Sequence, residues 1–317
     1  MTSTDTTGTR DAVGATDGLL APIAAAFAVA ARPDVLGLGL GSGAAVGALA
    51  GSAAALAYVR SPAAIPYFVI AAVLIVVTWS VAAGAVAAAA GERETPLASG
   101  LRRALNRAVP LVAAAIPAAV VVGVLLAAQV GVFALTQMGA RGPLGELPAR
   151  PLALIAVVYT LIFAMNVMVI VPVGALLWLV VPHVMRGAGA VEAHARVRAA
   201  CWERPGLVLR TLVGVVIMAS AAAAALLGIA ALGLVLVSFA QILGAGETFL
   251  LRFSEPLVSD MFMTVTVDNL AAVVVMATGI GAAVGAATGP SSMLGVAGGA
   301  FLARHAVAVE AEAGPAG

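Results

Sequence analysis

The sequence predicts an all-α protein: a polytopic transmembrane helical bundle of six spans, arranged as three helical hairpins with short interfacial amphipathic helices. Three observations carry this reading. Apolar residues make up 62% of the 317 residues and another 35 are Gly, whereas soluble domains hold roughly 45–50% on a count that already includes Gly. Only 10% of residues are charged and the mean hydropathy is +1.11, too little charge to cover a surface facing water, where about 25% is usual. Finally, six stretches contain no Asp, Glu, Arg or Lys: 35–58, 66–90, 109–135, 152–182, 211–243 and 269–303. As helices, even the shortest reaches about 36 Å at 1.5 Å per residue, more than the roughly 30 Å of a hydrocarbon core. A chain in hydrocarbon must satisfy its own N–H and C=O groups, and a helix does so within one segment.

Residues 1–18 (MTSTDTTGTRDAVGATDG) are polar and acidic with no apolar core, and read as a disordered tail, unlike a cleavable signal peptide. The membrane domain is expected over 19–304. Leu19, Leu20, Ile23 and Phe27 mark a short amphipathic segment before the first span, which opens with Arg32-Pro33-Asp34-Val35-Leu36. The second span returns over 66–90. Leu97, Leu101, Ala104 and Leu105 then form the next amphipathic segment, and Arg107-Ala108-Val109-Pro110-Leu111-Val112 opens the third span. The fourth, 152–182, is longer than a bilayer needs; a kink at Pro172 would absorb the excess, with a re-entrant break as the alternative. Val191, Ala195, Arg198 and Trp202 mark a third amphipathic segment, and Arg204-Pro205-Gly206-Leu207-Val208-Leu209 opens the fifth span. Pro is favoured in the first turn of a helix, where its missing N–H has no partner to lose. The outer loop 245–268 repeats Phe249, Phe253, Leu257 and Met261 at every fourth position, the spacing of a short helix on the outer leaflet. The sixth span, 269–303, carries a second candidate kink at Gly289–Pro290, and 305–317 reads as a short tail.

All 16 basic residues are Arg. With the N-terminus inside, twelve fall on the cytoplasmic side and only Arg60, Arg141, Arg150 and Arg252 outside. That bias predicts a cell-membrane protein with both termini cytoplasmic. The net charge of +1 gives no general pull toward nucleic acid. The lone Cys201 excludes an intramolecular disulfide, and His183, His194 and His305 are too scattered to suggest a metal site. Nothing in the sequence calls for a cofactor.

The amphipathic segment, Pro-started span and return span recur three times, as an internal repeat would. This pattern, with Arg-Pro followed by aliphatic residues at the start of a span, resembles a loose group of uncharacterised prokaryotic six-span membrane proteins, many of them archaeal. It is similar, too, to the membrane domain that precedes some glycerophosphodiester phosphodiesterases. The resemblance covers about residues 19–304 and implies a fold only, since no soluble stretch is long enough to hold the phosphodiesterase domain.

Gly39, Gly43, Gly47 and Gly51 stand four apart in the first span, and Gly281, Gly285 and Gly289 repeat that spacing in the sixth. Such residues lie near one face of a helix and let another backbone approach. Either they pack the first and sixth spans together within one bundle, the plainer reading, or they form a dimer seam or sliding gate. Asn166, with Tyr159 and Thr160 shortly before it, and Gln129 are the polar residues deepest in their spans; Thr78, Ser80, Ser220 and Thr278 are milder cases. Polar side chains in hydrocarbon need partners, so an interhelical hydrogen bond is expected of Asn166 and Gln129, with a substrate path as the alternative. No ionisable group occupies the centre of a span, which disfavours proton-coupled transport while leaving Na⁺ coupling through carbonyls open. Ser291 and Ser292 after Gly289-Pro290 suggest carbonyls satisfied near a proline more than a serine nucleophile, because no histidine lies at membrane depth.

Arg102, Arg103 and Arg107 on one amphipathic segment and Arg196, Arg198 and Arg204 on another are candidate contacts for anionic lipid headgroups. The expected function is a non-enzymatic membrane scaffold whose partners are membrane lipids, a second copy or a partner membrane subunit. The alternative is a permease for a small or lipophilic solute, with its path between the Gly-rich spans and near Asn166.

Overall fold

The computed structural model describes residues 24–58, 63–91, 96–140, 149–203, 205–245 and 267–312. The 1–18 segment, Arg204 and the loop carrying Phe249, Phe253, Leu257 and Met261 lie outside the described residues. Among the described residues a short helical stretch over 24–30 precedes eight longer helices: α1 (Pro33–Tyr58), α2 (Ala64–Gly91), α3 (Leu97–Asn106), α4 (Ala108–Ala140), α5 (Ala149–Met185), α6 (Ala190–Glu203), α7 (Pro205–Ala245) and α8 (Val267–Glu312). No strand occurs among the described residues. Six of the helices, α1, α2, α4, α5, α7 and α8, are long and apolar enough to cross a membrane. The chain is an all-α, multi-pass helical membrane protein.

Pro33 and Pro205 each stand first in a helix, and Pro110 falls in the first turn of α4. Helix also continues through Pro117, Pro172, Pro182 and Pro290. The long fourth and sixth spans therefore carry no re-entrant break at Pro172 or Pro290. α8 runs on past residue 305 to Glu312, so helix enters the stretch expected to be a tail.

Helix α8 is the centre of the bundle. Its most extensive partner is α1, and it also packs against α7, α5 and α2. Consecutive spans touch in each pair, α1 with α2, α4 with α5, and α7 with α8, while α7 otherwise rests on α6. Burial is uneven along the helices. Ala82–Ala90 of α2 is buried throughout, as are Leu179, Val180, Val181 and Val184 of α5 and Met293, Leu294, Val296 and Ala297 of α8. The opposite halves leave Ile65, Val69, Leu161, Met168, Ile229 and Val275 exposed, an apolar surface that suits lipid. The packed core thus sits at the end where α3 and α6 join the spans, the Arg-rich end.

Candidate functional site at the Arg-rich end

Helix α3 lies against α2 because its inward face is small. Gly100 and Ala104 are buried, and a Cβ on Gly100 would stand 2.7 Å from the Ala85 carbonyl oxygen. The other face exposes Arg102, Arg103 and Leu105. Arg107 breaks the helix before α4: its N–H donates to the carbonyls of Arg103 and Ala104, and its guanidinium donates to the Val184 carbonyl at 3.0 Å.

That carbonyl belongs to the end of α5, which closes in a Schellman turn. Gly187 N–H donates to Val184 O at 3.1 Å, and Ala188 N–H donates to His183 O at 3.2 Å. Gly187 has φ +112, a left-handed backbone that a Cβ opposes. Arg107 thus adds a cation to a helix C-terminus, where the macrodipole favours one.

The same turn presents Arg186. Its side chain is exposed at one edge, but its guanidinium is partly buried where it donates to Ala300 O of α8 at 3.5 Å. Burial first, then the neighbouring charge of Arg304, pushes its pKa down from the usual guanidinium range; an arginine stays protonated regardless. Arg304 lies over the ring of Phe301, 5.5 Å from its centroid. Arg103 and Arg186 line a cavity of about 110 Å³ walled by Ala87, Ala88, Gly91 and Ala300.

Helix α6 buries Ala193 and Val197 and exposes Arg196, Arg198 and Trp202. Arg196 pairs with Glu192 at 2.6 Å, and that hydrogen bond draws the carboxyl below its ordinary range. Cys201 is partly buried, and burial pushes its thiol up. Of the six arginines expected to contact headgroups, Arg102, Arg103 and Arg198 are exposed on these helices, Arg196 is paired, Arg107 serves α5, and Arg204 lies outside the described residues.

The glycine ladders of α1 and α8 meet face to face, antiparallel. A Cβ built on Gly43 would strike the Gly285 carbonyl, one on Gly47 the Gly281 carbonyl, and one on Gly289 the Gly39 carbonyl. Gly39 meets Pro290, whose Cα would be 3.0 Å from such a Cβ, and Gly51 meets Ala277. Beside this seam, between α1, α2 and α8, is a second cavity of about 320 Å³. Its polar lining is internally satisfied. Ser42 donates to Leu38 O, Thr288 to Val284 O, and the Trp79 indole to Ser292 Oγ at 2.9 Å. Ser291 returns its hydroxyl to Thr288 O, so each serine after Pro290 already has a partner.

Gln129 of α4 donates its amide to the Asn166 side-chain carbonyl of α5, and neither residue lines the cavity beside the seam. Thr278 bonds back to Val274 O, while Ser80 is fully buried with no hydrogen-bond partner among the described residues.

Sequence reasoning passed over Arg186, which stands alone in the chain, and over the close contacts Gly295 and Gly299 make with Trp178 and Gly298 with Val215. The four-residue spacing of Gly295 and Gly299 was a usable signal; Arg186 had none. No family model matches the chain, and neither a curated protein nor a solved structure resembles it significantly.

Proposed function

We propose that the protein is a non-enzymatic scaffold of the cell membrane, with both termini cytoplasmic, that organises anionic lipid or a partner subunit around its Arg-rich end. One observation carries the reading: α3, α6 and the start of α4 expose Arg102, Arg103 and Arg198 together with apolar Leu105, Val109, Val191 and Trp202, the last three more than 80% exposed. Paired charge and apolar surface of this kind belong in the headgroup layer, where each Arg near an anionic surface contributes about 1 kcal/mol. Trp at that depth is a familiar interfacial anchor. Replacing Arg102, Arg196 and Arg198 together with Gln should lower the anionic lipid that co-purifies with the protein; unchanged enrichment would overturn the reading.

Cys201, the sole cysteine, tests the orientation. A membrane-impermeant maleimide should leave it unlabelled in sealed right-side-out vesicles and label it after permeabilisation. The rate should climb with pH, because the thiolate is the nucleophile and burial raises the thiol pKa. Labelling of sealed vesicles would reverse the topology.

The 320 Å³ cavity favours a second reading, a permease for a lipophilic solute. Its hydroxyls are engaged with their own helices or with Trp79, so its free lining is apolar. Asn166 lies elsewhere, bonded to Gln129, so this version expects flux to depend on the seam and to survive Asn166→Leu.

A further inference from the structure

A void inside a protein forfeits the dispersion contacts its lining would otherwise make, so it either collapses or is filled. The cavity of about 320 Å³ beside the glycine seam is held against collapse. On one side α1 and α8 already touch backbone to backbone, at Gly43 and Gly285 and at Gly47 and Gly281. On the other side α2 is tied to both of them. Tyr67 Oη shares a 2.7 Å hydrogen bond with Ser52 Oγ of α1, and the Trp79 indole donates to Ser292 Oγ of α8. The stretches of the three helices that line the cavity are all described.

Shape and lining select what fills it. The cavity runs along α1 from Ser42 to Gly51, about 14 Å at 1.5 Å per residue, which leaves a mean cross-section of about 23 Å². That is the width of a single extended hydrocarbon chain. Ser42, Thr288 and Trp79 direct their hydrogens to other protein atoms, so the surface left for an occupant is largely apolar. Apolar cavities of about 150 Å³ stay dry yet admit benzene, and this one is roughly twice that size. Its two ends differ. Toward the Arg-rich end it is closed by Met293, 1% exposed, and by buried Ser42 and Gly289. Toward the other end Ala50 and Val284 stand exposed on membrane-spanning helices, so the mouth opens onto lipid chains.

We infer that this cavity holds one acyl chain of a membrane phospholipid, which enters between Ala50 and Val284 and points its terminal methyl at Met293. The site stands apart from the Arg-rich end, and it gives the cavity a resident occupant in place of a passing solute.

The test places the full chain in phosphatidylcholine vesicles doped with a phosphatidylcholine that carries a photoactivatable diazirine on one acyl chain. Adducts are mapped by peptide mass spectrometry. A diazirine at the chain terminus should label Met293, which lipid on the surface of the bundle does not reach. One placed next to the ester should label Ala50 or Val284 instead. Ala50→Phe narrows the mouth and should cut Met293 labelling about tenfold, the ratio for a bound state weakened by about 1.4 kcal/mol. Exposed Leu161 of α5 should be labelled as before. Val284→Phe, on the opposite lip, repeats the test should the first variant fold poorly. An unlabelled Met293 in the unaltered chain, or labelling unchanged in both variants, would overturn the site. Labelling of Met293 by the ester-proximal probe and not the terminal one would overturn the direction of entry. A diazirine fatty acid at the same mole fraction separates the sources: if it labels Met293 and the phospholipid does not, the occupant is a free fatty acid and the phospholipid assignment falls. None of these outcomes touches the arginine collar, which the Arg102, Arg196 and Arg198 variant tests separately.

Discussion

Two pairs of membrane helices in this protein are joined by opposite means. Helices α1 and α8 meet backbone to backbone, with Gly39, Gly43, Gly47 and Gly51 set against Gly281, Gly285 and Gly289 and no side chain between them. Helices α4 and α5 share a polar bond, Gln129 to Asn166, with Val120, Val124, Leu161 and Met165 left exposed nearby. Lipid tails are as apolar as Leu, so burying apolar surface gives membrane helices little reason to associate; close van der Waals contact and polar bonds must do it. The seam spreads many weak contacts over several turns and depends on each position being small. The polar pair concentrates its contribution in two side chains and tolerates change around them.

The largest expected effect follows from the seam. In Gly47→Val the new side chain would be driven into the Gly281 carbonyl, which is fixed helix backbone. The variant should lose about 3 kcal/mol of stability, the upper range for overpacking, measured as a shift in reversible unfolding in mixed micelles. A loss below a third of that would mean α1 and α8 separate easily, and the contrast between the two pairs would collapse. A smaller effect belongs to the polar bond. Gln129→Leu and Asn166→Leu should each cost about 0.6 kcal/mol, and the double variant little more than either alone. Additive losses would show that the two residues act separately. The smallest effect sharpens the contrast within α1 itself. A Cβ on Gly37 meets nothing within 4 Å, so Gly37→Ala should change stability by no more than about 0.5 kcal/mol, and in the stabilising direction by helix propensity. Destabilisation as large as that of Gly47→Val would mean that glycine matters along the whole helix and not at the seam.

Much of the architecture is legible in the residues one at a time. Charge-free stretches give the spans, because an ionisable group at mid-bilayer costs too much to be scattered there. Pro33 and Pro205 mark helix starts, since a proline lacks only an N–H that the first turn does not use. The spacing of Gly39 through Gly51 announces a close backbone approach, and Asn166 and Gln129 stand out as polar groups in need of partners. None of these signals names the partner. A glycine face fits a second copy of the chain as well as it fits α8, and an amide at mid-span can bond to any helix within reach. Arg186 shows the limit most sharply. In the sequence it is an isolated arginine after a span, while Arg102, Arg103 and Arg107 form an evident cluster. In space it shares a cavity with Arg103, and Arg107 is turned toward α5.

The sequence by itself determined that this chain is helical, that it crosses a membrane, and which stretches do so, because transfer of charge and of unpaired backbone groups into hydrocarbon is decided locally, residue by residue. The tertiary structure alone decided that α8 packs against α1 through facing glycines, that Gln129 and Asn166 answer each other, and that Arg103 and Arg186 converge. Those outcomes depend on the register and rotation of helices far apart in the chain, and in a solvent as apolar as their side chains such quantities are set by contact geometry that no single segment contains.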